Sequence, residues 1–87
     1  MKKLVKCEEV EGEGLLSLLG EQVMVWCMNF NYHGKLVGVN DHDILLEDCK
    51  IVFETGKFGG PLKDAQKVAD QGYVRIASIE SYCKYEV

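Results

Sequence analysis

Hydrophobic positions change their spacing several times along this chain, and each change marks an expected element. In "LLSLLG", Leu15, Leu16, Leu18 and Leu19 form a broad apolar face that ends at Gly20. Glycine just past the last apolar position is a usual helix stop, so one or two helical turns are expected here. The ten residues at the start read either as a strand or as a loose arm, and "EGEG" (Glu11 to Gly14) breaks the pattern. In "EQVMVWCMNF" the spacing turns to two. Val23, Val25 and Cys27 alternate with Met24, Trp26 and Met28, so both faces of this strand are apolar. A half-buried strand carries polar residues on one face. The second face therefore needs a cover, either the helix or another subunit.

"YHGKLVGVN" reads as the next strand, with Gly34 and Gly38 inside it. Interior strand glycines mark a bend, a bulge or a close backbone approach, and two of them suggest strong curvature. "DILLEDCKIVFE" is the third strand, long enough to bend and serve two parts of a barrel. The segment from Thr55 to Gly72 reads as an insertion between strands: "TGKFGGP" is turn-rich, and "LKDAQKVAD" after Pro61 fits a short helix with Leu62, Ala65, Val68 and Ala69 on one side. "YVRIASIESYCKYEV" closes the chain as two short strands with a tight junction near Ala77 and Ser78. Ile79, Cys83, Tyr85 and Val87 are expected to share one face of the last. One helix followed by five short, bent strands predicts a mainly β fold, a small and strongly curved antiparallel barrel.

With 87 residues, the chain is read as a single domain, 1–87, with residues 55–72 as its variable insertion. A core this small gains from oligomerisation. The apolar fraction of 47% and charged fraction of 28% are those of a globular domain. A net charge of −4 argues against non-specific nucleic-acid binding, which draws its affinity from Lys and Arg on phosphates. It leaves room for a local stacking site. The four cysteines, Cys7, Cys27, Cys49 and Cys83, form no CxxC pair, so zinc is not expected. No apolar stretch approaches the roughly 20 residues of a membrane span, and none follows the basic start as in a signal peptide. The expectation is a cytoplasmic protein without membrane association.

Candidate chemistry concentrates in "NDHD", residues 40–43, a polar turn between two apolar strands. Turns need polar residues, so solvation alone is one reading of His42 and a turn or capping role one reading of Asp41 and Asp43. Asp-His-Asp is too compact to give three ligands to one ion, and no metal or other cofactor is expected. Arg75 reads either as a base contact or as a strand residue paired with Glu80 or Asp43. Trp26, with Met24 and Met28, reads as core or subunit interface. Gly59 and Gly60 are not a phosphate loop, because no Gly-Lys-Ser/Thr follows. No nucleophile–base arrangement has supporting context, Cys49 reads as strand core, and no catalytic residue is assigned; an enzyme is not expected.

The order of elements, and the residues in it, resemble the Sm and Sm-like family. The helix and first strand match in "LLSLLGEQVMV", the first Sm motif in "YHGKLVGVN" followed by "HDILLEDC", and the second, more loosely, in "YVRIASI". This resemblance implies a small SH3-type barrel with an N-terminal helix. It implies edge-to-edge pairing of the fourth strand with the fifth strand of the next copy, giving a homo-oligomeric ring of five to seven subunits. It also implies single-stranded RNA as a partner, held by stacking near the pore. With one gap in the turn, Asn40 takes the place of the family's aspartate, His42 the stacking position, Asp43 the place of the base-reading asparagine and Arg75 that of the motif's arginine. Asn40 and Asp43 thus carry the two usual side-chain types in swapped order, and a side-chain brace between them is expected with donor and acceptor exchanged. Asparagine offers a donor and an acceptor, whereas a carboxylate only accepts. The uridine preference is therefore expected to weaken in favour of an amino group, as on cytosine or adenine. Ile76 stands where the family usually has glycine. The alternative is a structural or protein-interaction ring that does not bind RNA, favoured by the acidic net charge, Asp43 and Ile76. Gathering of Lys35, Lys57 and Lys63 beside Arg75 would favour RNA.

Overall fold

The computed structural model describes residues 14–87. The chain is mainly β. Five strands, β1 (Gln22–Cys27), β2 (Asn31–Val39), β3 (Asp43–Glu54), β4 (Asp64–Arg75) and β5 (Ile79–Lys84), form one antiparallel sheet in the order β4-β3-β2-β1-β5. Among the described residues the sheet does not close into the expected small barrel. β4 and β5 are the two ends of the sheet and do not pair with each other. The reading of the first ten residues lies outside the described part.

The sequence helix at residues 15–19 is instead a single 3-10 turn, Leu15–Leu18. The backbone explains its brevity, because Gly14 before it and Gly20 after it both have positive φ, 74° and 86°. In a 3-10 turn residues three apart eclipse one another. Leu15 and Leu18 accordingly pack on the core, while Leu16 and Leu19 are exposed.

The second expected helix is also absent. Residues 64–72 belong to β4, which pairs with β3 from Glu54↔Asp64 to Asp43↔Arg75. The inserted loop is therefore 55–63 rather than 55–72. Twelve residues of β3 present a backbone edge that must find partners. Pairing along that edge outweighs the local helical spacing of Leu62, Ala65, Val68 and Ala69.

β1 is buried on both faces, as its apolar alternation requires. Val23 and Val25 join Leu36, Ile44, Leu46, Cys49 and Val74 in one cluster. Met24 faces the other way, into a second cluster with Val52 and Tyr85, against which Trp26, Leu62 and Ala65 pack. Met24 on that second face is covered from within the chain rather than by the expected helix. The cover comes from the far half of β3, the start of β4 with Leu62 two residues before it, and the C-terminal tail. Met28, beyond the strand end, is exposed.

β3 reaches both clusters because its alternation changes phase. Ile44 and Leu46 are buried, Asp48 has φ 54°, and from there the odd position Cys49 takes over the same cluster while Val52 turns to the second. Asp is among the few residues that adopt the left-handed region at modest cost. Its carboxylate is also held by Lys50 at 3.3 Å and Lys67 at 3.4 Å, which keep its pKa below the usual range. The curvature expected from glycine is located at two register shifts between β2 and β3, His33/Lys35 and Leu36/Gly38. At Gly34 a β-carbon would lie 2.9 Å from the Glu47 carbonyl oxygen and 3.1 Å from Leu46 Cβ, so the two strands approach too closely for a side chain there.

Burial also sets the chemistry of two internal polar groups. Cys49 is buried, which pushes its thiol pKa up and fits its reading as packed strand sulfur. His33 is 2% exposed, and its Nε2–H donates to the Tyr85 carbonyl at 2.7 Å. The rings of His33 and Tyr85 meet edge to face at 5.9 Å. Tyr85 N–H donates in turn to the Gln22 carbonyl, and Val87 N–H to the Gln22 side chain. The C-terminal tail is thus fastened across the second cluster. Tyr85 is buried there, while Cys83 and Val87, expected on the same face, are exposed.

Candidate nucleic-acid interface

The four residues singled out in sequence come together at one end of the sheet. Asn40 and His42 lie in the turn between β2 and β3, Asp43 opens β3, and Arg75 closes β4. Asp43 and Arg75 are direct cross-strand partners, so their side chains leave the same face of the sheet. The Ile76 N–H donates to the His42 carbonyl at 2.8 Å and ties the two junctions to each other.

Asn40 builds the turn. Its Oδ1 accepts from the backbone N–H of His42 at 2.8 Å and of Asp43 at 2.7 Å, and its own N–H donates to the Asp43 carbonyl at 2.9 Å. This is the local side-chain mimic of a backbone turn that Asn favours. The expected side-chain brace between Asn40 and Asp43 is replaced by a brace to the backbone. The consequence is useful for ligand chemistry: Asn40 spends its carbonyl on the turn, and Asp43 keeps both carboxylate oxygens.

His42, Asp43 and Arg75 have no ionic partner among the described residues, a property they share with Lys35, Asp41, Glu47, Lys57, Asp64 and Glu80. The ion pairs run elsewhere, joining Asp48 to Lys50 and Lys67, Asp70 to Lys67, Glu54 to Lys63, and Lys84 to Glu21 and Glu86. The alternative of Arg75 paired to Glu80 or Asp43 is not seen. His42 and Arg75 are exposed and Asp43 is half-buried. The backbone around them is held firmly: His42 at both its N–H and its carbonyl, and the Arg75 carbonyl by the Ser78 hydroxyl at 2.8 Å. A flat imidazole, an acceptor-only carboxylate and a five-donor guanidinium thus stand on a braced backbone with their polar groups free.

Ile76, the departure from glycine, has a structural role that sequence reasoning missed. Its half-buried side chain packs on the first core cluster. This packing anchors the junction from which Arg75 projects. A second missed feature is a cleft of about 290 Å³ between the β1–β2 turn and the end of β4. Met28, Phe30, Tyr32, Tyr73 and Arg75 line it, and Tyr73 is 72% exposed. The signal was an aromatic two residues before the arginine in a strand, which places both on one face.

The lysines do not gather there. Lys57 and Lys63 lie in or beside the β3–β4 loop, at the opposite end of β3 from Asp43, and Lys63 is paired to Glu54 at 3.3 Å. Lys35 lines a different cavity with His33 and Lys50. Trp26 is half-buried against the second cluster, in line with a packing role, and its ring lies 6.4 Å from that of Phe58. Among the described residues no group of three or more His, Cys, Asp or Glu side chains is placed to hold a metal ion, and no helix is long and apolar enough to cross a membrane. No protein-family model matches the chain, and no curated protein is similar to it.

Proposed function

We propose that this chain is an Sm-like protein that assembles edge to edge into a homo-oligomeric ring and binds single-stranded RNA at the junction of His42, Asp43 and Arg75, with Asn40 shaping the turn. The observation that carries the reading is the register. Asp43 stands opposite Arg75 while the Ile76 amide docks on the His42 carbonyl, so two loops far apart in sequence present one composite surface. Imidazole and guanidinium planes both stack on bases, and the guanidinium also attracts phosphate.

The sheet order supports the ring reading. Among the described residues β4 and β5 are the edges at opposite ends of one sheet, and open edges are sites of pairing with another chain. Pairing β4 of one copy to β5 of the next is heterologous, and such contacts close into a ring when the rotation permits. Five to seven subunits, as the resemblance implies, is the expected range, to be read by native mass spectrometry.

A second reading, a ring that binds protein rather than RNA, is favoured by the net charge of −4 and by lysines placed away from Arg75. Fluorescence anisotropy with labelled single-stranded RNAs at two salt concentrations separates the two. The RNA reading expects salt-sensitive binding that Arg75→Ala weakens. Its absence for every RNA leaves the protein-interaction ring.

A further inference from the structure

From the free groups at this junction we infer that the base it selects is guanine, with Asp43 as the specificity-determining residue. The inference rests on the RNA reading above and names the ligand of that same site.

The argument is one of donors and acceptors. The Asn40 carbonyl is fully committed, accepting from two backbone N–H groups, so it does not read a base edge. Asp43 has its backbone N–H and carbonyl committed to Asn40, while its carboxylate has no ionic partner among the described residues. It leaves the sheet on the same face as Arg75, its cross-strand partner. A ligand between them meets an edge of two acceptors on one side and a fork of donors on the other.

The bases differ in what they offer such a pair. Uracil presents one N–H between two carbonyls, so a carboxylate aligned on it meets a like-polarity oxygen. Cytosine and adenine each present one amino group beside a ring-nitrogen acceptor. Guanine alone presents two adjacent donors, N1–H and N2–H, matching the two oxygens of a carboxylate. Its O6 and N7 accept from arginine in the commonest specific contact to that base. His42, beside Asp43 and exposed, supplies a plane for stacking.

The test uses the full chain and an unstructured oligo-adenosine carrying a single guanosine, inosine, cytidine or uridine at its centre, read by fluorescence anisotropy. Inosine is guanosine without the 2-amino group, so it removes one of the two donors and nothing else. The guanosine oligomer should bind about tenfold or more tighter than the uridine one, and inosine should lose most of that advantage. In Asp43→Asn, which keeps the backbone bonds of the turn, the guanosine preference should collapse and uridine should be taken at least as well as guanosine. Circular dichroism should show the fold of that variant unchanged. Binding in which uridine is tightest, or in which guanosine and inosine are equal, overturns the guanine assignment while leaving RNA binding in place. Failure of every oligomer to bind overturns the RNA reading and this inference with it.

Discussion

The molecule's two histidines occupy opposite kinds of environment. His33 is enclosed in the sheet, its ring tied to the Tyr85 carbonyl and stacked edge to face on the Tyr85 ring. His42 is exposed, and it is the backbone rather than the ring that is tied, to Asn40 on one side and Ile76 on the other. At His33 the side chain serves the fold. At His42 the fold holds a side chain out. The difference separates a region whose changes are read in stability from one whose changes, on the proposed RNA reading, are read in binding.

Substitutions in the first region should have the largest effects on folding. Leu46→Ala empties a fully buried site in the first cluster and should cost roughly 2–5 kcal/mol, measured from the urea midpoint. Gly34→Ala forces a β-carbon against the Glu47 carbonyl and Leu46, and should cost about 1–3 kcal/mol by the same measurement.

His33 adds a pH dependence. Burial holds its pKa below the ordinary histidine value, with the Tyr85 hydrogen bond opposing only in part. The unfolded chain therefore binds this proton more readily than the folded one, and stability rises with pH across that window. The contribution is complete above about 6.5, the ordinary value, and is lost as pH falls below it toward the depressed folded value. Thermal melts between pH 8 and pH 5 should show a falling midpoint, and His33→Gln should flatten the fall.

At the turn, Asn40→Ala removes the acceptor of two backbone N–H groups that water can reach. A loss of about 1 kcal/mol is expected, with a larger loss in RNA affinity as His42 and Asp43 lose their fixed backbone. His42→Ala and Arg75→Ala should change stability least, within about 0.5 kcal/mol, since both side chains are exposed and unpaired among the described residues. A large loss of stability in either would erase the contrast between the two regions.

Much of this was legible in the chain itself. The strands β1, β2 and β3 were written in alternation and in the two glycines, and the junction near Ala77 and Ser78 in the break between two apolar runs. The double-sided burial of β1 was visible too, though not what covers it. The helices were not legible, because helical spacing is shared by segments that fold otherwise. "LLSLLG" has room only for a 3-10 turn between two positive-φ glycines, and "LKDAQKVAD" is drawn into the sheet by the unpaired edge of β3. Such pairing is a property of a distant strand and leaves no local trace. The phase change at Asp48 is equally silent in sequence, since any polar residue would fit the alternation there.

The four candidates Asn40, His42, Asp43 and Arg75 were named from the sequence and lie together at one end of the sheet, while their hydrogen-bond partners were not legible. That Asn40 saturates its carbonyl on the turn and leaves Asp43 free depends on backbone geometry. Ile76 looked like a defect in a motif and is instead a packed anchor.

The most direct test of the account sets RNA affinity against thermal stability in His42→Ala. A loss of binding of about tenfold is expected from removing one stacking plane, with a melting temperature within about 4 °C of the parent. Single-stranded RNA bound equally well by the parent and the variant would contradict it, as would a parent chain that binds no RNA at all.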